Sequence, residues 1–583
     1  MKKFLIPIMG LLTIPVYGQN IVDATRFASQ NLTGTARYRS MGGAFGALGG
    51  DPSAMSDNPA GIGVYRGTSI LSFTPNLSFA HSKVNGSVST DNKRSDLNLA
   101  NLSYILSMKV DGDRLVNFNI GVGFNHKEGL KRKYQMILND PHSRFGRYLE
   151  NRANNALRAA GRFKDYIADD YMTLFKDGEL YGGVWDNGDM PLSALYAWES
   201  MYLDEKWIPN TTDPTKEDLH GVSSYERDFN IDHAYQRLYV MENNRNDEYN
   251  LNLSANWADR IYGGVTFTIN DMNSTIESDM NEDYFETYDG DFIRMSNQLE
   301  TKGTGFGIKA GVIGRITDTW RVGLAAHTPT WYKMTDYYCI SACNTYVANG
   351  EGVFEAHDIP NWDAPCKTFN YEYRYQSPWQ LQLSTAWVLG RKGLISLEAD
   401  MVDYTTQKYK KSSDGWDGDD GEMDMLKEVS EKYCRTQLTY KAGGEYRVTD
   451  NFSVRLGYAF KTSPFKDELY DNPGMSRGSS TGDYYDENRL LFDSSSKPNY
   501  SILGTQQYIS AGLGWSGDWW TIDFSFMDRI MNEKIAAFPT TDALMDNNGD
   551  WFMTDDSNFA VKATHCDMKT RVLTWDITVG LKF

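Results

Sequence analysis

From residue 68 onward, apolar and polar residues alternate with a period of two. The last segment shows this best. Leu573, Trp575, Ile577, Val579, Leu581 and Phe583 fall on one parity, and Val572, Thr574, Asp576, Thr578, Gly580 and Lys582 on the other. Neighbouring side chains of a strand point to opposite faces, so this spacing predicts a strand with one apolar and one polar face. Segment 114–127 repeats it, with Val116, Phe118, Ile120, Val122 and Phe124 set against Asn117, Asn119, Gly121, Gly123 and Asn125. Alternation alone fits a half-wetted soluble sheet as well as a membrane barrel.

The connections separate the two. Strands are predicted near 68–81, 95–109, 114–127, 246–258, 260–274, 301–315, 319–334, 377–390, 393–407, 434–448, 451–464, 503–516, 518–530 and 569–583, fourteen in all. Short turns such as Asp111-Gly112-Asp113, Ala258-Asp259, Thr317-Asp318 and Ser516-Gly517 alternate with long connections, 82–94, 128–245, 275–300, 335–376, 408–433, 465–502 and 531–568. Short turns at one end and long loops at the other predict an all-β antiparallel transmembrane barrel. Trp257, Trp320, Trp331, Trp379, Trp387, Trp515 and Trp519 fall at strand ends, where an interfacial girdle is expected. No repeated unit points to a propeller or solenoid.

Residues 1–67 do not alternate. Lys2 and Lys3 precede an apolar stretch, Phe4 to Tyr17, and Val16 and Gly18 sit at −3 and −1 of a cut before Gln19. This predicts a signal peptide over 1–18 and export from the cytoplasm. Residues 19–67 then form a first unit and 68–583 the barrel, with 128–245 as a large extracellular insertion. A short helix is expected from Val22 to Gln30, followed by a compact glycine-rich stretch suited to plugging a lumen.

Within that stretch, Met41-Gly42-Gly43-Ala44, Asp51-Pro52-Ser53-Ala54 and Asn58-Pro59-Ala60-Gly61 resemble the N-terminal hatch of the FadL family of outer-membrane transporters for long-chain fatty acids and hydrophobic compounds. The resemblance covers residues 34–67 and implies a fourteen-stranded barrel plugged by that hatch. It also implies passive transport by capture on outer loops, hatch movement and release through an opening in the wall. The terminal Phe583 resembles the signal read by the barrel-assembly machinery.

Composition narrows the alternatives. Beyond the leader no apolar run approaches the ~20 residues of a membrane helix. A net charge of −19 disfavours nucleic acid as a partner. Aromatics at 13% supply material for a large core and argue against disorder.

Candidate chemistry is sparse. Asn58, Pro59, Ala60 and Gly61 are the gating candidates, because proline fixes φ and pre-sets a turn. Phe45, Leu48 and Met55 are candidates to line an apolar ligand site, the alternative being that they anchor the plug. Asp546, Asn548 and Asp550 have the 1-3-5 spacing of calcium ligands, but Trp551 stands where the sixth-position glycine belongs, so a solvated acidic face is preferred and no metal is assigned. Arg144 to Phe175 has helical spacing and is expected to form a cap over the barrel or a lid packed on its rim. Cys339, Cys343, Cys366, Cys434 and Cys566 lie in outer loops or at the outer rim, with pairing undecided. The eight histidines form no pair at ligand spacing, which disfavours haem uptake, and no hydrolase motif is found.

The sequence thus reads as an outer-membrane barrel of a Gram-negative bacterium, without cofactor or catalytic residues. It would admit hydrophobic molecules, with long-chain fatty acids as first candidates and membrane lipid as its surroundings. The competing reading is a similar barrel serving as a binding partner in protein secretion or surface attachment, suggested by the length of 128–245.

Overall fold

The computed structural model describes residues 20–110, 114–140, 143–159, 235–283, 292–347, 369–411, 421–467, 497–540 and 563–583, with short pieces between them. Fourteen staves, each antiparallel to its neighbours, close into a barrel. They are β1 (Ile70–Asn85), β2 (Ser89–Lys109), β3 (Leu115–Glu128, resumed at Lys131–Asn139), β4 (Tyr235–Trp257), β5 (Ile261–Asp283) and β6 (Phe292–Arg315). Next come β7 (Trp320–His327, resumed at Trp331–Val347), β8 (Phe369–Gln376, resumed at Gln380–Leu389) and β9 (Gly393–Asp403, resumed at Lys408–Lys411). The ring is completed by β10 (Thr436–Arg447), β11 (Phe452–Lys461), β12 (Tyr500–Ser516), β13 (Trp520–Ala536) and β14 (Cys566–Lys582). Pairing of β1 with β14, from Ile70↔Lys582 to Asn85↔Asp567, seals the ring. Closure gives every stave two hydrogen-bonded neighbours, as a sheet in lipid requires.

The faces are those of a membrane barrel. Leu71, Phe73, Leu77 and Phe79 of β1 are exposed, while Ser72, Thr74 and Asn76 are buried. On β14, Trp575, Ile577 and Val579 face out, while Thr574, Asp576 and Thr578 face in. On β5 the exposed apolar run extends from Ile261 to Ile269, about the 9–11 residues with which a tilted strand crosses a bilayer. A water-soluble barrel would reverse the two faces. Among the described residues no helix is long and apolar enough to cross a membrane.

The fourteen staves lie where the alternation predicts them, but several are much longer. β4, β5 and β6 run 23, 23 and 24 residues. Their outer halves carry Asp271, Glu277, Asp279 and Arg294, so the wall continues as a polar collar above the lipid. Apolar alternation fades there, and these stretches were expected to be loops. The connection predicted at 82–94 is mostly strand, and the insertion predicted at 128–245 narrows to 140–234. The Asp111-Gly112-Asp113 turn lies outside the described residues. In the Ala258-Asp259 turn both residues have positive φ, 54° and 56°. The Asn256 side chain holds that geometry by accepting from the Asp259 N–H at 3.0 Å.

Within 140–234, α3 (Phe145–Ala159) covers the described part of the predicted helical stripe. Glu282 of β5 caps it, accepting from the Phe145 and Gly146 N–H groups at 2.6 and 3.1 Å. Phe145, Tyr148 and Leu149 are fully buried, and Tyr148 stacks on Phe538 at 5.1 Å. The described face of the stripe therefore packs on the rim. Phe175, expected in the same helix, instead lies in a two-residue strand paired with Glu179–Leu180, with the hairpin-favouring dipeptide Asp177-Gly178 between them. Phe163, Ile167, Tyr171 and Leu174 lie outside the described residues.

The N-terminal segment, residues 20–67, lies inside the ring. Its helices are α1 (Ile21–Phe27) and α2 (Ala36–Ser40), followed by 3-10 turns at Pro52–Met55 and Pro59–Val64. The first helix ends earlier than the predicted Gln30. Asn20, Thr35, Asp51 and Asn58 cap these four elements, each accepting a backbone N–H in the first turn. Side-chain caps matter because stretches this short cannot stabilise themselves.

Candidate functional site

The turn at Asn58 is one of the places where segment and wall meet closely. Asn58 Oδ1 accepts from the Ala60 N–H at 3.1 Å, and its Nδ2 donates to Gly46 O at 2.6 Å. Pro59 follows the cap at the start of its 3-10 turn, where a missing N–H costs nothing. Ala60 packs on Tyr262 and Ile313, and Gly61 O accepts from the Gly50 N–H at 2.9 Å.

The wall grips this turn from many staves. Ser56 Oγ accepts from Asn125 of β3 at 2.7 Å and Asn250 of β4 at 3.1 Å. Lys309 of β6 donates to Ser56 O and to Glu248, both at 2.8 Å. His327 of β7 lies 2.7 Å from Asp57 O. Gln382 of β8 donates to Asp57 Oδ1 at 2.7 Å and to Glu398 of β9 at 2.8 Å. Lys441 of β10 lies 2.7 Å from Asp400 and 3.6 Å from Asp57, and also pairs with Glu398. Glu398 in turn accepts the Gly46 N–H at 2.7 Å. Asp57 is deeply buried, and desolvation raises its carboxyl above the ordinary range against the pull of Lys441. Charges this deep persist only when paired.

Small residues bring the segment against the wall. A Cβ on Gly311 of β6 would overlap the Asn58 carboxamide, and one on Gly457 of β11 would overlap the Gly42 backbone. Two further clamps act elsewhere. Arg39 pairs with Asp576 of β14, which also accepts from Asn76 and Ser525. Arg37 joins Glu445 at 3.0 Å, and Arg455 bridges Glu445 and Asp523.

A small open-mouthed cavity of about 50 Å³ lies beside α1. One side is apolar, with Phe27, Met272, Leu503 and Met531. The other carries Arg26, Arg132, Arg529, Glu242 and Glu533. Arg132 is bound to Glu242 at 2.9 Å and also to Glu533, and Arg26 meets Glu242 at 3.2 Å. Desolvation by burial works against the Asp23 carboxylate on α1, but Lys497 and Arg26 more than offset it and hold its pKa below the usual value.

Three adjacent staves are interrupted at the upper edge of the apolar belt. β7 breaks at Thr328-Pro329-Thr330, β8 at Ser377-Pro378-Trp379, and β9 at a 3-10 turn, Tyr404–Thr406. Pro329 and Pro378 cannot donate to a ladder. Side chains fill in: the Thr330 N–H donates to Ser377 Oγ at 2.8 Å, and Ile308 N–H to Thr328 Oγ1 at 3.0 Å. His327 and Gln382, which hold Asp57, stand just below this seam.

Asn58, Pro59, Ala60 and Gly61 directly follow Ser56 and Asp57, on which these ties converge, and Pro59 O accepts from Asn252 of β4 at 3.3 Å. Phe45, Leu48 and Met55 are all buried and do not line the cavity. Phe45 packs on Tyr38 at 5.5 Å with the Arg37 guanidinium over its ring, and Met55 presses on Gly121 and Gly123. The residues that sequence reasoning missed are Asp57, Glu248, Lys309, His327, Gln382, Glu398 and Lys441. Their signal was present as charges on the lumen parity among small polar neighbours, but their partners are distant in sequence. Asp546, Asn548 and Asp550 lie outside the described residues, and among the described residues no metal-ligand cluster occurs. Cys339 is disulfide-bonded, Cys434 and Cys566 are buried free thiols, and Cys366 lies outside the described residues.

No family model and no curated protein matches the sequence. Among solved structures, a Pseudomonas aeruginosa FadL homologue is similar at 11% identity and a TM-score of 0.49, over 95% of this chain and 99% of that one. The toluene transporter TodX of P. putida is similar at 10% identity and a TM-score of 0.47, over the same shares. The Ralstonia pickettii toluene transporter TbuX follows at 12% and 0.40, again over 95% and 99%.

Proposed function

We propose that the protein is an outer-membrane channel that passes small hydrophobic molecules without chemical conversion, and that residues 20–67 are its hatch. The observation that carries this reading is the seat of the Ser56–Gly61 turn. A fourteen-stave barrel is too wide for its own side chains to fill. Here the lumen is occupied by a segment held through hydrogen bonds, ion pairs and close backbone packing, its covalent tie to the wall being the chain's own run into β1. Such a seat is firm at rest and releasable as a unit.

The cavity beside α1 suits an amphipathic ligand. Its apolar side would take part of a hydrocarbon chain at about 0.8 kcal/mol per CH₂ buried, and Arg26 or Arg132 would exchange Glu242 for a ligand carboxylate. This supports long-chain fatty acids as the first substrate class to test. The seam across β7, β8 and β9 interrupts three neighbouring ladders and is the candidate lateral opening.

The test is uptake of labelled oleate and of toluene by cells or proteoliposomes carrying the intact protein or a form lacking residues 34–61. The intact protein should admit one or both selectively, and the deletion should leak ions or lose selectivity. Unchanged, selective uptake by the deletion would refute the hatch.

A further inference from the structure

We propose that the outward face of β14, β1 and β2, just above the apolar belt, binds the phosphorylated headgroup of an outer-leaflet glycolipid. The inference rests on the membrane reading above. The belt there ends with Leu77, Phe79, Leu97 and Trp575, all exposed. One step further along the strands, Lys93, His81 and Arg571 stand side by side on adjacent staves. In the next row Lys83 and Lys569 are direct cross-strand partners. All five sit on the long-loop side of the belt, and the four Lys and Arg side chains are exposed.

Like charges directly opposite each other destabilise a sheet, and the acid in this row, Asp91 opposite Lys83 on β2, is itself engaged by His81. The acids facing the patch are Asp91, Asp528 and Asp567. Asp91 is paired with His81, and Asp528 is held by Arg571. Asp567 stands opposite Asn85 and Lys534, a row above. Among the described residues Lys83, Lys93 and Lys569 make no ion pair. Cross-strand neighbours lie about 5 Å apart, so ammonium groups on adjacent staves can close on one phosphate. The position matches lipid anatomy: acyl chains lie on the belt, and the headgroup phosphate reaches the lysine rows.

The experiment uses the full-length protein in detergent, with native mass spectrometry and thermal melting. The probes are bisphosphorylated lipid A, its phosphate-free form, phosphatidylglycerol and inorganic phosphate. The wild type should retain bisphosphorylated lipid A and melt higher with it. The triple variant Lys83→Gln, Lys93→Gln, Lys569→Gln should bind it on the order of 100-fold more weakly. A control variant, Lys302→Gln, Lys333→Gln, Lys410→Gln, removes the same charge from the collar of β6, β7 and β9 and should bind like wild type.

Equal binding of the phosphate-free lipid overturns the proposal, and this arm needs no variant to fold. So does unchanged binding by the first triple variant, equal retention of phosphatidylglycerol, displacement by inorganic phosphate, or self-association through this face in place of lipid. A wild type that retains no lipid of any kind defeats the membrane reading itself. One that retains lipids regardless of phosphate defeats only this inference.

Discussion

Gly311→Val tests the hatch seat directly. Gly311 faces the lumen on β6, where a Cβ would overlap Asn58 Oδ1 and crowd the Pro59 ring. Valine suits a strand, so the wall itself should tolerate the change. The turn cannot stay. Forcing extra atoms into a packed site costs about 1–3 kcal/mol. Displacing Asn58 also breaks its bonds to Gly46 O and the Ala60 N–H, at about 1 kcal/mol each. The sum, about 3–5 kcal/mol, raises the population of the released state by roughly 10²-fold to a few thousandfold, at about 1.4 kcal/mol per tenfold. Single-channel recording in planar bilayers reads this as the fraction of time a barrel conducts. Gly263→Val is the matched control, because a Cβ there meets nothing within 4 Å. Gly311→Val should conduct far more often than wild type, and Gly263→Val should not. A correctly folded Gly311→Val barrel that stays as closed as wild type would refute the reasoning, because the turn would then not be what closes the lumen.

Other outcomes follow from the same geometry. Arg39→Ala leaves Asp576 without its cation and should lower stability by about 3–5 kcal/mol, read as a lower melting temperature of the purified barrel. Met272→Trp should fill part of the cavity beside α1 and slow oleate uptake while leaving the melting temperature within a few degrees; unaltered uptake would move the binding site elsewhere. Replacing Pro329 and Pro378 with valine restores two donors at the seam and should reduce release of ligand into the bilayer, measured by transfer to fluorescent acceptor vesicles. Burial pushes the Cys434 thiol up to about 12, so at pH 7.5 it should resist maleimide in the folded barrel and react once the protein is denatured.

The sequence by itself determined the architecture. Strand parity is a local property: Trp575 and Asp576 face opposite ways because they are neighbours, whatever else the chain does. Turn spacing is local too, so the number of staves and the end bearing the long loops could be read directly. The Asn58-Pro59 turn was legible because a cap and a proline act within a few residues. The collar was not, because above the lipid the outward face turns polar and the alternation that marks a strand disappears, as at Asp271 to Asp279. Whether Phe45, Leu48 and Met55 line a ligand site or anchor the plug stayed open in the sequence, because an apolar side chain reads the same whether it meets a ligand or a wall. Only the folded barrel placed them against Tyr38, Ala386 and Gly121. The charged seat was least legible of all. Lys441 lies 384 positions from Asp57, and only closure of the ring sets the two 3.6 Å apart. A charge in a strand announces that it must have a partner, since burying it alone costs several kcal/mol. Which partner it has is a fact of barrel diameter, stagger and the path of the segment inside, and those exist only in three dimensions.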